Sequence, residues 1–253
     1  QPVQSIGSIA IDPNNTNTIW VGSGEAWTRN SVSVGDGIYK STDGGETWNS
    51  MGLPNSERIV KIAVNPGNSN LVYACVTGKL WSDSGERGVY RTQDGGASWS
   101  LVLRGPNPST GCGSMSLDPA HPGTLFASMW DFRRKGWTFR SGGPNADAVS
   151  GSGLYRTEDG GDHWTEITDA ANKGFPAKPY GRIAVVLAPS DAKIVYAFGE
   201  SKASALFRSS DGGATWERRD DSQAMVWRPF YFANLIVDPT NPDRLFKPDG
   251  DLI

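Results

Sequence analysis

Glu25, Asp36, Asp83, Glu86, Asp131 and Asp147 stand in polar, glycine-containing stretches of this 253-residue chain, outside its alternating apolar runs. Two carboxyl groups facing each other across a groove, one protonated and one ionised, can cleave a glycosidic bond as acid and base. Asp36, Glu25, Asp83 and Asp131 are the candidates for such a pair, although carboxylates on loops most often serve only to hold water. Other reaction classes lack their parts. The two histidines, His121 and His163, sit in a proline turn and a glycine turn, so a Ser-His-Asp site is not expected, and no Cys/His metal cluster can be assembled. Asp-Gly turns can hold calcium, but the EF-hand spacing is missing. The expectation is therefore no cofactor and no metal.

Trp27, Trp81, Trp130, Trp137 and Trp227 lie in or beside the same kind of stretch, with Arg29, Arg87, Arg133, Arg134, Arg140 and Arg228 near them in sequence. Indoles stack on sugar rings, and indole with guanidinium is also the anchor chemistry of protein interfaces. Any one of these tryptophans could equally pin a long loop in place.

The elements that must position these residues are announced by an octapeptide that occurs four times. Ser41-Thr42-Asp43-Gly44-Gly45-Glu46-Thr47-Trp48 returns as Thr92-Gln93-Asp94-Gly95-Gly96-Ala97-Ser98-Trp99, as Thr157-Glu158-Asp159-Gly160-Gly161-Asp162-His163-Trp164 and as Ser209-Ser210-Asp211-Gly212-Gly213-Ala214-Thr215-Trp216. The aspartates are 51, 65 and 52 residues apart, the mark of a repeat architecture with one insertion. Asp-Gly-Gly between two strand-like runs reads as a hairpin turn whose carboxylate and hydroxyl bond inside the turn, with the tryptophan folded back as an apolar plug. That makes Asp43, Asp94, Asp159 and Asp211, with Trp48, Trp99, Trp164 and Trp216, structural residues.

Two further strands precede each octapeptide, the first ending in a turn rich in Pro, Asn and Asp, such as Asp12-Pro13-Asn14-Asn15. Four antiparallel strands per unit make a propeller blade. The units span 6–50, 59–103, 113–167 and 181–219, with an incomplete fifth at 231–253. An all-β propeller of about four and a half blades leaves two bare edges, so part of a larger ring is expected, with the rest of the ring or another chain covering the edges. In such a meander the connections 22–35, 77–88 and 130–153 emerge on one face with the blade-to-blade stretches 104–111, 168–180 and 220–229. That face carries the candidate tryptophans, arginines and carboxylates, where binding usually sits on a rigid scaffold.

The octapeptide, S/T-x-D-x-G-x-T/S-W, resembles the Asp-box (BNR) repeat of β-propellers in sialidases, glycoside hydrolase family 74 xyloglucanases, sortilin-type receptors and a plant photosystem II assembly factor. Spacing and flanking phrases are most similar to bacterial sortilin-type repeats. His163 departs from the pattern in the third copy. The resemblance implies the fold and leaves function open, since such proteins include enzymes and binders. Asp36-Gly37-Ile38-Tyr39-Lys40 is similar to the surroundings of a family 74 catalytic aspartate, and an ordinary strand start explains it as well. The sialidase arginine pattern is missing, since Arg182-Ile183-Ala184 lacks its proline.

Net charge is −3, which argues against nucleic acid as partner, and no run is apolar enough to span a membrane. Cys75 and Cys112 leave two readings open, a bridge between adjacent units or two buried thiols. The sequence is read as a secreted, periplasmic or cell-surface propeller that binds glycan or protein without catalysis. The alternative is a glycoside hydrolase using paired carboxylates.

Overall fold

A computed structural model describes residues 3–28, 32–83, 85–136, 138–142, 150–168 and 173–248. The first sheet is β1 (Ile6–Asp12), β2 (Asn15–Ser23), β3 (Ile38–Ser41) and β4 (Asn49–Ser50), in that order and antiparallel. The second repeats it with β5 (Ile59–Asn65), β6 (Asn68–Val76), β7 (Gly88–Thr92) and β8 (Ser100–Leu103). The third contains β9 (Thr110–Leu117), β10 (Leu125–Lys135), β11 (Thr138–Ser141), β12 (Gly153–Thr157) and β13 (Thr165–Glu166). The fourth is β14 (Ile183–Ala188), β15 (Asp191–Gly199), β16 (Ala205–Ser209) and β17 (Glu217–Asp220). A short helix, α1 (Gln223–Val226), leads to a two-stranded remnant, β18 (Ile236–Val237) with β19 (Leu245–Phe246). The molecule is an all-β partial propeller of about four blades.

The octapeptides form the same turn each time. In the first, Asp43 accepts from Ser41 Oγ at 2.6 Å and from the Thr47 backbone N–H at 2.9 Å, while Ser41 Oγ accepts from Gly45 N at 2.8 Å. Gly44 and Gly45 take φ of 76° and 99°, which is why both positions are glycine. Hydrogen bonds from Ser41 and Thr47, and from Ser98 and Thr92, hold Asp43 and Asp94 far below the usual carboxylate range. Asp159 is held down likewise by the backbone and ring of His163 and by Thr157, so the histidine substitutes for the missing hydroxyl. Partial burial works the other way at Asp211, but the hydrogen bonds of Thr215 and Ser209 outweigh it and leave it at about 2.

The blades stack through apolar faces. Between blades one and two, Trp20 and Ile38 pack against Ile62, Val64, Val72 and Ala74, with Trp99 edge-on to Trp20 at 6.2 Å. Between two and three, Cys75 of β6 is bridged to Cys112 of β9, their Cα atoms 5.1 Å apart. Phe126, Leu154, Val185 and Phe207 belong to the next interface. The first strands β1, β5, β9 and β14 are neighbours in turn around the axis. Serine hydroxyls knit them, with Ile62 N donating to Ser8 Oγ at 3.0 Å and Val185 N to Ser114 Oγ at 3.2 Å.

Blade one shows what a missing neighbour does. Its Ile9 and Ile11 are 61% and 55% exposed, whereas the equivalent Ile62 and Val64 are 3% and 8% exposed under blade one. Among the described residues β1 pairs with β2 alone, so no sheet joins it to the C-terminal remnant.

Two expectations change. The stretch 130–153 was expected to be loop, yet β10 runs on through Trp130, Asp131, Arg133 and Arg134 to Lys135 and returns in β11, pairing Phe132 with Ser141 and Lys135 with Thr138. The run keeps extending because Trp130 to Arg134 are all buried, and only Lys135 at its end is exposed. Cys112, just outside the third unit as expected to begin at 113, lies inside β9.

Candidate functional site

The loops on one face converge on an apolar knot. Leu80 from the blade-two connection meets Trp130 and Phe132 from β10, joined by Val32 from blade one and Phe230 from beyond blade four. Around it the rings and guanidinium groups alternate. Arg87 lies over Phe132 at 5.2 Å, Phe132 stacks on Trp130 at 4.6 Å, and Arg182 covers Trp130 at 5.0 Å. Cation–π and stacking contacts of this kind gain strength when water is excluded.

The arginines are occupied with backbone. Arg87 donates to the carbonyls of Thr77, Ser109, Ser82 and Lys79, and Arg58 to Gly78 O and the Glu57 carboxylate. Burial, with Arg58 close by, pulls Arg87 down to about 10. Arg133 pairs with Asp83, tying β10 to the blade-two connection, and the Arg134 backbone donates to Leu80 O at 3.1 Å. Arg182 donates to Phe230 O at 3.0 Å and to Ala26 O at 3.5 Å, and burial brings it to about 10.

Each predicted carboxylate has a distinct fate. Asp131 is fully buried and accepts from Asn107 Nδ2, Ser109 Oγ and Gly151 N at 2.8, 2.6 and 3.0 Å, so it braces three loops and is not open to a substrate. Asp83 is exposed and held by Arg133. Asp36, half-buried, accepts from Ser23 Oγ and from Tyr39 Oη at 2.7 Å, and burial together with Asp36 pushes Tyr39 up to about 12. Glu25, half-buried, accepts from Ser33 N. The four are therefore spread over separate networks.

The tryptophans divide in the same way. Trp130 is completely buried, and its Nε1 donates to Ser141 Oγ at 2.9 Å; it is framework, against the expectation that it faces a ligand. Arg87, Arg133 and Arg134 are likewise at most 7% exposed, with the Arg87 guanidinium on loop carbonyls and that of Arg133 on Asp83. Trp81 and Trp227 are 54% and 49% exposed. Trp27 is half-buried, edge-on to Tyr231 and Phe232 at 5.3 and 5.8 Å; Trp227 stacks on Phe232 and Arg228 lies over Tyr231. Loops of the first and last units thus touch. Arg29, Trp137 and Asp147, with the side chain of Arg140, lie outside the described residues.

Sequence reasoning missed Glu200. It accepts from Ser141 Oγ and from the Arg182 backbone N–H at 2.8 Å, and burial pushes its carboxyl up. Its signal was topological, since it opens the connection after β15 on the same face, but that connection is short and drew no attention. Glu86 is also raised by burial. Among the described residues, no three His, Cys, Asp or Glu side chains gather as a metal would require.

Comparison with known proteins agrees with this architecture. The chain is 26% identical over 265 residues to the xyloglucanase Xgh74A of Acetivibrio thermocellus, covering 94% of this chain and 29% of that protein. It is 26% identical over 243 residues to a probable oligoxyloglucan-reducing end-specific xyloglucanase of Neosartorya fischeri, covering 83% and 26%. Among solved structures it resembles an ancestral GH74 enzyme, with TM-score 0.63, 21% identity, 97% of this chain and 30% of that one. The GH74 enzyme of Niastella koreensis gives TM-score 0.64, 21% identity, 95% and 35%. The chain thus spans about a third or less of these relatives. The profile of the Sortilin-Vps10 family (sortilin, neurotensin receptor 3) matches residues 36–178, more than half of the sequence, and the chain belongs to that family.

Proposed function

We propose that this chain is the glycan-engaging part of a xyloglucanase-like glycoside hydrolase. The observation that carries the reading is similarity to xyloglucanases along nearly the whole chain. The geometry supports it. Trp81 and Trp227 offer open indole faces to sugar rings, and the arginine and aromatic knot beneath keeps them from collapsing. Glycoside cleavage needs one carboxyl that stays protonated, and Glu200, raised by burial, is suited to that role. The Cys75–Cys112 bridge fits a secreted or envelope setting. A further blade of the same ring covers the Ile9 and Ile11 face.

A second reading, glycan binding without cleavage, draws on the engagement of Asp131 and Asp83 in structural contacts. One experiment separates the two. Electrophoresis of the 253-residue chain through gels containing xyloglucan measures binding, and release of reducing ends measures cleavage. Retardation with cleavage that Glu200→Gln abolishes supports the enzyme. Retardation alone supports the binder, and neither one overturns both readings.

A further inference from the structure

The first strands of the four blades, the segment before β18 and the loop residues Ala26 and Trp27 line an open axial cavity of about 480 Å³. Its wall mixes apolar side chains, Val60, Ala63, Met115, Leu117, Val185 and Leu187, with polar ones, and among the described residues no aspartate or glutamate lines it. Lys61 does.

Repeat logic makes this lysine an anomaly. The equivalent positions in blades one, three and four are Ser8, Ser114 and Ala184. The two serines accept hydrogen bonds from the next first strand, from Ile62 N and Val185 N. An ammonium has no lone pair and cannot do that work. Lys61 therefore gives up an inter-blade bridge and places a charge at the cavity instead. Its Nζ makes no hydrogen bond or ion pair with the described residues. The side chain is open to the cavity yet surrounded by protein, and this desolvation pulls the ammonium down with no opposing charge.

The other cation on the wall, Arg182, has its Nη groups on carbonyls and Glu200 beside it. Lys61 is thus the uncompensated charge. A cation in a concavity without a counter-charge collects an anion. We propose that the axial cavity binds a small anion through a charge-assisted hydrogen bond from Lys61, its body resting against the valine, methionine and leucine side chains of the first strands. The cavity has room for a ligand the size of a monosaccharide or an aromatic acid. This inference does not rest on the xyloglucanase reading, because it is carried by Lys61 on the first strand, although the cavity also reaches Trp27 and Arg182 of the loop face.

The test is thermal unfolding and calorimetric titration of the chain with benzoate, glucuronate, phosphate and sulfate, against chloride at equal ionic strength. Lys61→Ser, which restores the residue type found at blades one and three, and Lys61→Met run in parallel. The expected result is saturable binding of at least one anion that both variants weaken roughly tenfold or more, as loss of a charge-assisted contact predicts. Binding of benzoate or glucuronate alone assigns an organic carboxylate; binding of phosphate or sulfate alone assigns an inorganic oxyanion. Should both variants unfold, the lysine methyl signals of reductively methylated wild-type protein report instead, one of them titrating low and rising with anion. No saturable binding, or equal binding by the variants, overturns the proposal.

Discussion

The guanidinium of Arg182 lies over the indole of Trp130, 5.0 Å from its centroid, and the two side chains come from different blades. Ser141 joins them from the side, receiving the indole N–H and donating to Glu200, which in turn accepts from the Arg182 backbone. The loop face is thereby locked at its base, and the outer indoles stand above it, free to meet a ligand.

Trp130 and Trp81 should part company under substitution. Trp130→Ala empties a fully buried site and is expected to cost about 3–5 kcal/mol in denaturant unfolding. Trp81→Ala, at an exposed position, should leave stability within about 0.5 kcal/mol and weaken xyloglucan binding. Equal destabilisation by both would show that Trp81 is framework too.

The Asp-box carboxylates make the fold acid-sensitive. Their folded pKa values are depressed, so their contribution is full above the ordinary carboxylate range near pH 4 and is lost as pH falls through the folded values, about 2 for Asp211. Melting temperature should hold near neutrality and drop steeply from about pH 4 downward. Asp211→Asn should lower the melting temperature at pH 7 and flatten that drop.

His163 carries the opposite sign. Its pKa is raised, first by the hydrogen bond to Asp159 and then by the carboxylate charge. Its contribution is therefore full below the unfolded value near 6.5 and declines as pH rises through the raised folded value. His163→Thr should remove this slope between neutral and mildly alkaline pH, leaving a turn whose hydroxyl bonds Asp159 at all those values. The effect will be small, since the ring is exposed.

Reduction should loosen blades two and three together. The Cys75–Cys112 bridge closes a segment with a sequence separation of 37. Chain-entropy reasoning gives it about 2–4 kcal/mol. Denaturant titrations with and without reductant, and a Cys75→Ala/Cys112→Ala variant, measure it. Unchanged midpoints would mean that the thiols pack as well as the bridge.

The turns were legible because their bonds are local. Asp43, Ser41 and Thr47 meet within seven residues, so spacing alone implies the contact. The knot was not legible in that way. Besides Phe132 of its own strand, Trp130 is buried by Leu80, Val32 and Phe230, which arrive from three separate stretches, and no pattern around Trp130 itself announces them. Asp131 likewise looks like a loop acid until Asn107, Ser109 and Gly151 close on it. Glu200 was hidden by a short connection, and the cysteine pairing needed a distance across two blades.

The bare side of blade one also sets a gradient in time. In a stacked array, resistance to opening is a sum of each unit's own stability and its contacts with neighbours. Blade two has a partner on each side, whereas blade one, with Ile9 and Ile11 uncovered, has one. Amide hydrogen exchange should accordingly be slowest in β6 and β10 and quicken outward, with β1 and the short β18–β19 pair opening first. Adding a covering blade would slow exchange in β1 long before it altered anything at the centre of the stack.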